Sequence, residues 1–175
     1  RSYNVGAPPK WFVEPFSSQS YQSRNNHWSE LKHFEGYDIK HYWELSRWAW
    51  APLLARAFIY SGDNKYLLIL KEWIENWCTE NPVNQGCNWL CAQEASIRLI
   101  HALQCWKILD TPHNVPSLSE GRKAFVISHL KRISITQLYA KSQSNNHWIS
   151  EAAALFIGGS WLGEKHYAEL GRKSL

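Results

Sequence analysis

The sequence predicts an all-α fold built from antiparallel helical hairpins, and three observations carry that prediction. Apolar residues recur at three- and four-residue spacing through most of the chain after residue 38. Compact breaker clusters such as Ser61-Gly62-Asp63, Asn81-Pro82 and Thr111-Pro112 divide these stretches. No stretch alternates apolar and polar residues as a half-buried strand would. At 175 residues the chain is long enough to bury a core without staples.

The elements follow in order. Residues 1–37 read as an irregular segment punctuated by Pro8, Pro9, Pro15 and Gly36. Asp38 to Tyr60 carries Trp43, Trp48, Leu53, Leu54 and Phe58, which suits one or two helices with a bend at Pro52. Asn64 to Thr79 is the next helix, with Tyr66, Leu70, Trp73 and Trp77 on one face. Gly86 precedes a long helix that Asn88 and Trp89 open and that runs to Ile108. Glu94 and Arg98 form an i,i+4 pair on it. Ser119 caps a helix from Glu120 to about Lys141, apolar all round and therefore expected to be covered on more than one side. Ser144-Asn145-Asn146 starts another helix, and Gly158-Gly159 is its expected stop. A last helix begins near Glu164.

Composition narrows the function classes. Hydrophobic residues make up 45% and charged residues 19%, which excludes a disordered tail. No apolar run reaches the ~20 residues of a membrane-spanning helix. The net charge of +4 is compatible with an acidic partner. Between Glu120 and Glu151 no acidic residue occurs, while Arg122, Lys123, Lys131, Arg132 and Lys141 fall there with His129 and His147. This is either a solvated helix face or a positive wall beside an anion site. Cys78, Cys87, Cys91 and Cys105 lack a metal-binding spacing and read as buried thiols. Neither a metal nor a cofactor is expected, and nucleic acid is not an expected partner. Eleven Trp imply an aromatic core, flat ligand-stacking surfaces, or both. The absence of Met fits a piece excised from a longer chain.

Three constellations carry candidate chemistry. Asn145, Asn146 and His147 cluster at a helix start, followed by Trp148 and, one turn on, Glu151. Free backbone N–H groups and the positive helix end favour an anion there, and the amides and imidazole add donors. Glu151 is placed to orient the His147 imidazole and raise its pKa. The bland alternative is a helix cap with a satisfied histidine. The second constellation is Asn88-Trp89 with Gln93 and Glu94. An amide beside a flat apolar ring suits a sugar, which has polar edges and C–H faces. The alternative is a cap and a core Trp. The third is Trp43 and Arg47 at i,i+4, where Arg47 either clamps a carboxylate or pairs with Glu44. The tetrapeptide Asn-Asn-His-Trp also occurs at 25–28, with different flanks.

Together, DIKHYWELSRW (38–48), WIENWCTENPVNQGCNWLCAQEASIR (73–98) and SNNHWISEAAALFIGG (144–159) resemble the helical domain of the heparinase II/III-like polysaccharide lyases, in order and separation. The resemblance covers about residues 38–175. It implies an incomplete α/α toroid, followed in the family by a β-sandwich domain, and an acidic polysaccharide or oligosaccharide as partner. The implied reaction is β-elimination in a uronic-acid polymer. Asn146 and His147 then neutralise the uronate carboxylate, and Asn88, Trp89, Gln93, Glu94, Trp43, Arg47, Asn145 and Trp148 line the sugar cleft. The family's catalytic Tyr and its β-sandwich are expected beyond residue 175, so the fragment alone is expected to be inactive. Two alternatives stay open. One is a glycoside hydrolase on an α/α barrel, with Glu44, Glu94 and Glu151 as candidate carboxylates. The other is a non-catalytic module for binding or assembling acidic polysaccharide. The unpaired cysteines point to a bacterial cytoplasm and the resemblance to a periplasm.

Overall fold

A computed structural model describes residues 4–31, 38–110, 119–143 and 146–175. The chain divides into two compact units, Arg1–Cys91 and Ala92–Leu175. All regular structure among the described residues is helical, apart from three isolated β-bridges. No helix of the described residues is long and apolar enough to cross a membrane.

The first unit holds α1 (Lys40–Ser46), α2 (Trp50–Ser61) and α3 (Asn64–Glu80). The expected bend at Pro52 is instead a break at 47–49, where Trp48 adopts a left-handed φ of 62°. Pro52 falls in the first turn of α2, where its missing N–H costs no helical hydrogen bond. Gly62, at φ 68°, ends α2 because a left-handed residue closes a helix with least strain when it lacks a Cβ. The Asp63 carboxylate then accepts from Lys65 N at 3.0 Å and caps α3. So short a connection folds α2 and α3 into a packed hairpin. The irregular N-terminal segment is anchored on this hairpin. The Trp11 Nε1–H donates to Asn76 Oδ1 at 2.7 Å, and Trp11 and Phe12 are buried.

The second unit holds α4 (Ala92–Leu109), α5 (Ser119–Gln143), α6 (Asn146–Leu162) and α7 (Lys165–Arg172). Helix α4 packs on α5 and α6, α5 on α6, and α6 on α7. Two boundaries differ from the expectation. Gly86 leads into a 3₁₀ turn, Cys87–Trp89, and α4 starts only at Ala92. Gly158 and Gly159 do not stop α6, which ends before Gly163 at φ 75°. They lie inside it because neighbours come too close for a side chain. A Cβ at Gly159 would stand 2.4 Å from Ala168 N, and one at Gly171 2.4 Å from Phe156 N. The glycines thus let α6 and α7 touch backbone to backbone. Helix α5 is covered over Val126, Leu130 and Ile133 but leaves Ile135, Leu138 and Tyr139 exposed, so it is not enclosed along its whole length.

Candidate functional site

In the first unit the turn at 81–90 is organised by Asn81. Its Nδ2 donates to the Trp77 carbonyl at 2.9 Å, and its Oδ1 accepts from Asn88 Nδ2 at 2.8 Å. The Trp89 indole donates to the Asn81 carbonyl at 3.3 Å. Asn88 and Trp89 are both buried, at 0% and 1% exposure, and the Trp89 ring lies 6.2 Å from that of Trp77. Neither offers a free face in this structure. Their polar atoms instead fix the shape of the turn. Trp43, half-buried on α1, donates its indole N–H to the Cys87 carbonyl at 2.8 Å and ties α1 to that turn. Arg47 pairs with Glu44, the surface alternative raised by the spacing. The structure thus brings Trp43 together with the 87–89 turn.

The second unit holds the other candidates. Gln93 and Glu94 lie in the first turn of α4, Gln93 half-buried and Glu94 buried. Asn146 is the first residue of α6 and is exposed, with His147 half-exposed beside it. Asn145, and the capping role expected of it, lie outside the described residues. The backbone N–H groups of a first helical turn have no partner within the helix, so this end of α6 favours negative charge. Trp148 is half-buried. Its indole donates to the Ser174 carbonyl, and Lys141 Nζ sits 5.1 Å over its ring. Its side chain thereby links α5, α6 and the C-terminal turn.

Glu151 is on the buried side of α6. It is 2% exposed, and burial raises its pKa to about 7 against the opposing pull of the Arg132 charge. Among the described residues its Oε2 has no hydrogen-bond partner, and the Arg132 charge acts on it. Nor is the basic stretch simply a solvated face or an exposed wall. Arg122, His129 and Arg132 are buried, while Lys123, Lys131 and Lys141 are exposed. The Arg98 Nε–H donates to His129 Nε2 at 2.9 Å, and His129 Nδ1 faces the Phe125 carbonyl at 2.8 Å. Accepting at Nε2 fixes a neutral imidazole that donates from Nδ1. Burial and the Arg98 charge hold the His129 pKa well below its usual range. Arg122 pairs with Asp110 at 2.7 Å. This interior network was missed in the sequence. Its signal was present, because His129 and Arg132 alternate with Val126, Leu130 and Ile133 along the same buried stripe.

Cys87 and Cys105 are buried, and burial pushes each thiol up to about 12, which makes them poor nucleophiles. Cys78 is exposed and Cys91 intermediate, so the reading of all four as buried fails for these two. Among the described residues no cluster of three or more His, Cys, Asp or Glu is placed to hold a metal ion.

No curated protein and no solved structure matches the chain. The family model for the heparinase II/III N-terminus does, over residues 9–174, and it takes in the α1 motif, the 81–94 turn and the α6 start. Matched over nearly its whole length, the chain belongs to the heparinase II/III N-terminal family and is a polysaccharide-lyase-related helical domain.

Proposed function

We propose that this chain is the helical substrate-binding part of a lyase that cleaves uronic-acid-containing polysaccharide by β-elimination, on an incomplete α/α toroid. The carrying observation is that Asn146 and His147 are accessible on the first turn of α6, in a chain of this family. β-Elimination must first neutralise the uronate carboxylate so that the C5 proton becomes acidic. A base then takes that proton, and an acid protonates the departing O4. The Asn146 amide and the His147 imidazole donate to the carboxylate. The positive end of α6 adds to the charge stabilisation that develops on the enediolate, as an oxyanion hole does.

In this reading Trp43, Arg47, Gln93, Asn145 and Trp148 contact sugar, while the buried Asn88 and Trp89 shape the 81–90 turn and the buried Glu94 lies in the first turn of α4. Proton transfer belongs, by resemblance to the family, to a Tyr. The hydrolase alternative has less support, because it needs two carboxylates flanking the bond. Glu94 and Glu151 are buried, and Glu44 is paired with Arg47.

The test follows the ultraviolet absorbance of the unsaturated uronate product. In an active polypeptide containing these residues, Asn146→Ala should lower turnover by about 100-fold or more, with an unchanged circular dichroism spectrum. The 175 residues alone should bind uronate oligosaccharide without turnover. Near wild-type turnover in the variant, or hydrolysis products without a double bond, would reject the reading.

A further inference from the structure

A cleft of about 310 Å³ lies wholly within the first unit, between the N-terminal segment and α3. Its size is at the small end of the range for ligand sites. Pro8 and Pro9 supply an apolar wall, and the buried rings of Trp11 and Phe12 lie at its floor. The polar groups around it are Lys10, Arg24, Asn76 and Glu80.

Arg24 is held in place yet not used up. Its Nε donates to the Tyr21 carbonyl at 3.2 Å, and its guanidinium carbon sits 4.8 Å over the Phe12 ring. Its two Nη groups make no hydrogen bond among the described residues, and it joins no ion pair there. Arg47, Arg122 and Arg172, in contrast, are each paired with a carboxylate. A guanidinium fixed at Nε with both Nη free presents the fork that binds a carboxylate or sulfate. Asn76 is also half engaged. Its Oδ1 accepts from Trp11, which leaves the Nδ2 donors facing no protein partner among the described residues. Lys10 and Glu80 are likewise in no ion pair there. Two cations against one carboxylate leave a net positive site. Glu80 accepts from hydroxyls, while the proline wall meets C–H surface.

We propose that this cleft is an accessory binding site for an anionic sugar residue, a pyranose bearing one carboxylate or sulfate. Arg24 takes the anion, Lys10 adds charge, Asn76 donates to a ring or hydroxyl oxygen and Glu80 accepts from a hydroxyl. The site rests on the reading that the chain handles acidic polysaccharide, but not on Asn146 or His147, which belong to the other unit. A second foothold on the same polymer raises the local concentration of substrate without contributing to the chemistry.

The experiment titrates the ¹⁵N-labelled 175-residue chain with glucuronate, glucose 6-sulfate and glucose. The Trp11 indole and Asn76 side-chain amide signals are the readout. An anionic sugar should shift both signals saturably while glucose does not. A response to glucuronate alone names carboxylate as the anion, and one to glucose 6-sulfate alone names sulfate. Arg24→Ala should weaken binding at least tenfold, and Glu80→Gln should tighten it severalfold. If Arg24→Ala does not fold, the exposed Glu80→Gln decides the matter. Asn146→Ala should leave both shifts in place, so this site and the proposed β-elimination fail independently. The proposal is overturned by the absence of a saturable shift, by an equal response to glucose, by unchanged affinity in Glu80→Gln, or by loss of the shifts in Asn146→Ala.

Discussion

The two compact units bury polar side chains among helices with different chemistry. Eight of the eleven tryptophans, from Trp11 to Trp89, lie in the first unit. Five of them place the indole N–H on a neutral acceptor: Trp11 on Asn76 Oδ1, Trp43 on Cys87 O, Trp50 on Leu45 O, Trp77 on Ser46 Oγ and Trp89 on Asn81 O. Among the described residues, the buried charged side chain of that unit is Glu14. Burial acts to raise its pKa, but hydrogen bonds from Ser17 and Phe16 and the nearby His41 outweigh this and hold it below the usual value. The second unit instead buries Glu94, Arg98, Arg122, Arg132 and Glu151, together with the titratable His129. The tryptophan hydrogen bonds of the first unit are neutral and indifferent to pH, with Glu14 beside His41 as the titratable exception. An interior that holds Glu151 and His129 is not indifferent, because these two groups bind protons differently when the chain unfolds.

The largest expected effect tests the packing of the second unit. Gly159→Val would drive a side chain into the backbone of α7, where even a Cβ stands 2.4 Å from Ala168 N. Neither backbone can yield without separating α6 from α7. A loss of about 3 kcal/mol or more is expected in chemical denaturation followed by circular dichroism. A loss under about 1 kcal/mol would mean that the two helices do not depend on this contact.

The same glycines show where sequence reading stops. Gly62 was legible as a helix end because a left-handed cap is a local requirement, and local signals lie in adjacent residues. Gly158 and Gly159 have the same composition as a helix stop, but the reason for them sits on α7, which no local pattern reveals. The family motifs were legible, and so was the all-α class, since both are carried by spacing. The burial of Trp89 and Asn88 was not, because an aromatic–amide pair suits a sugar face and a tight core turn equally well. His129 and Arg98 escaped notice because each looks ordinary until their helices are packed together.

The second effect concerns pH and sharpens the contrast directly. Glu151 has a pKa raised to about 7 by burial, against 4.5 for an ordinary glutamate. The folded state therefore keeps a proton that the unfolded chain has released, and stability from this group is lost as pH rises from about 4.5 through about 7. His129 acts in the opposite direction. Its depressed pKa keeps it neutral in the fold, so stability falls as pH drops below about 6.5, where the unfolded imidazole takes up a proton. Glu151→Gln should remove the alkaline loss and keep the acid one. At pH 8 the variant should be more stable by roughly 3 kcal/mol, and near pH 4 the two proteins should be alike. Equal stability at pH 8 would show that the Glu151 carboxyl is solvated, and the contrast between the units would lose its main support.

The smallest effect belongs to the first unit and should be flat with pH. Ser46 is 1% exposed and accepts from the Trp77 indole N–H at 3.0 Å. Ser46→Ala removes that acceptor while changing little volume, because the hydroxyl is replaced by a hydrogen. A net hydrogen bond of this kind is worth about 1 kcal/mol, so the variant should lose that much in denaturant unfolding followed by tryptophan fluorescence. Neither partner titrates between pH 5 and pH 8, so the loss should be the same at both ends of that range. A loss that changes with pH would mean that ionisable groups reach this aromatic interior after all, and that the difference between the units is one of degree and not of chemistry.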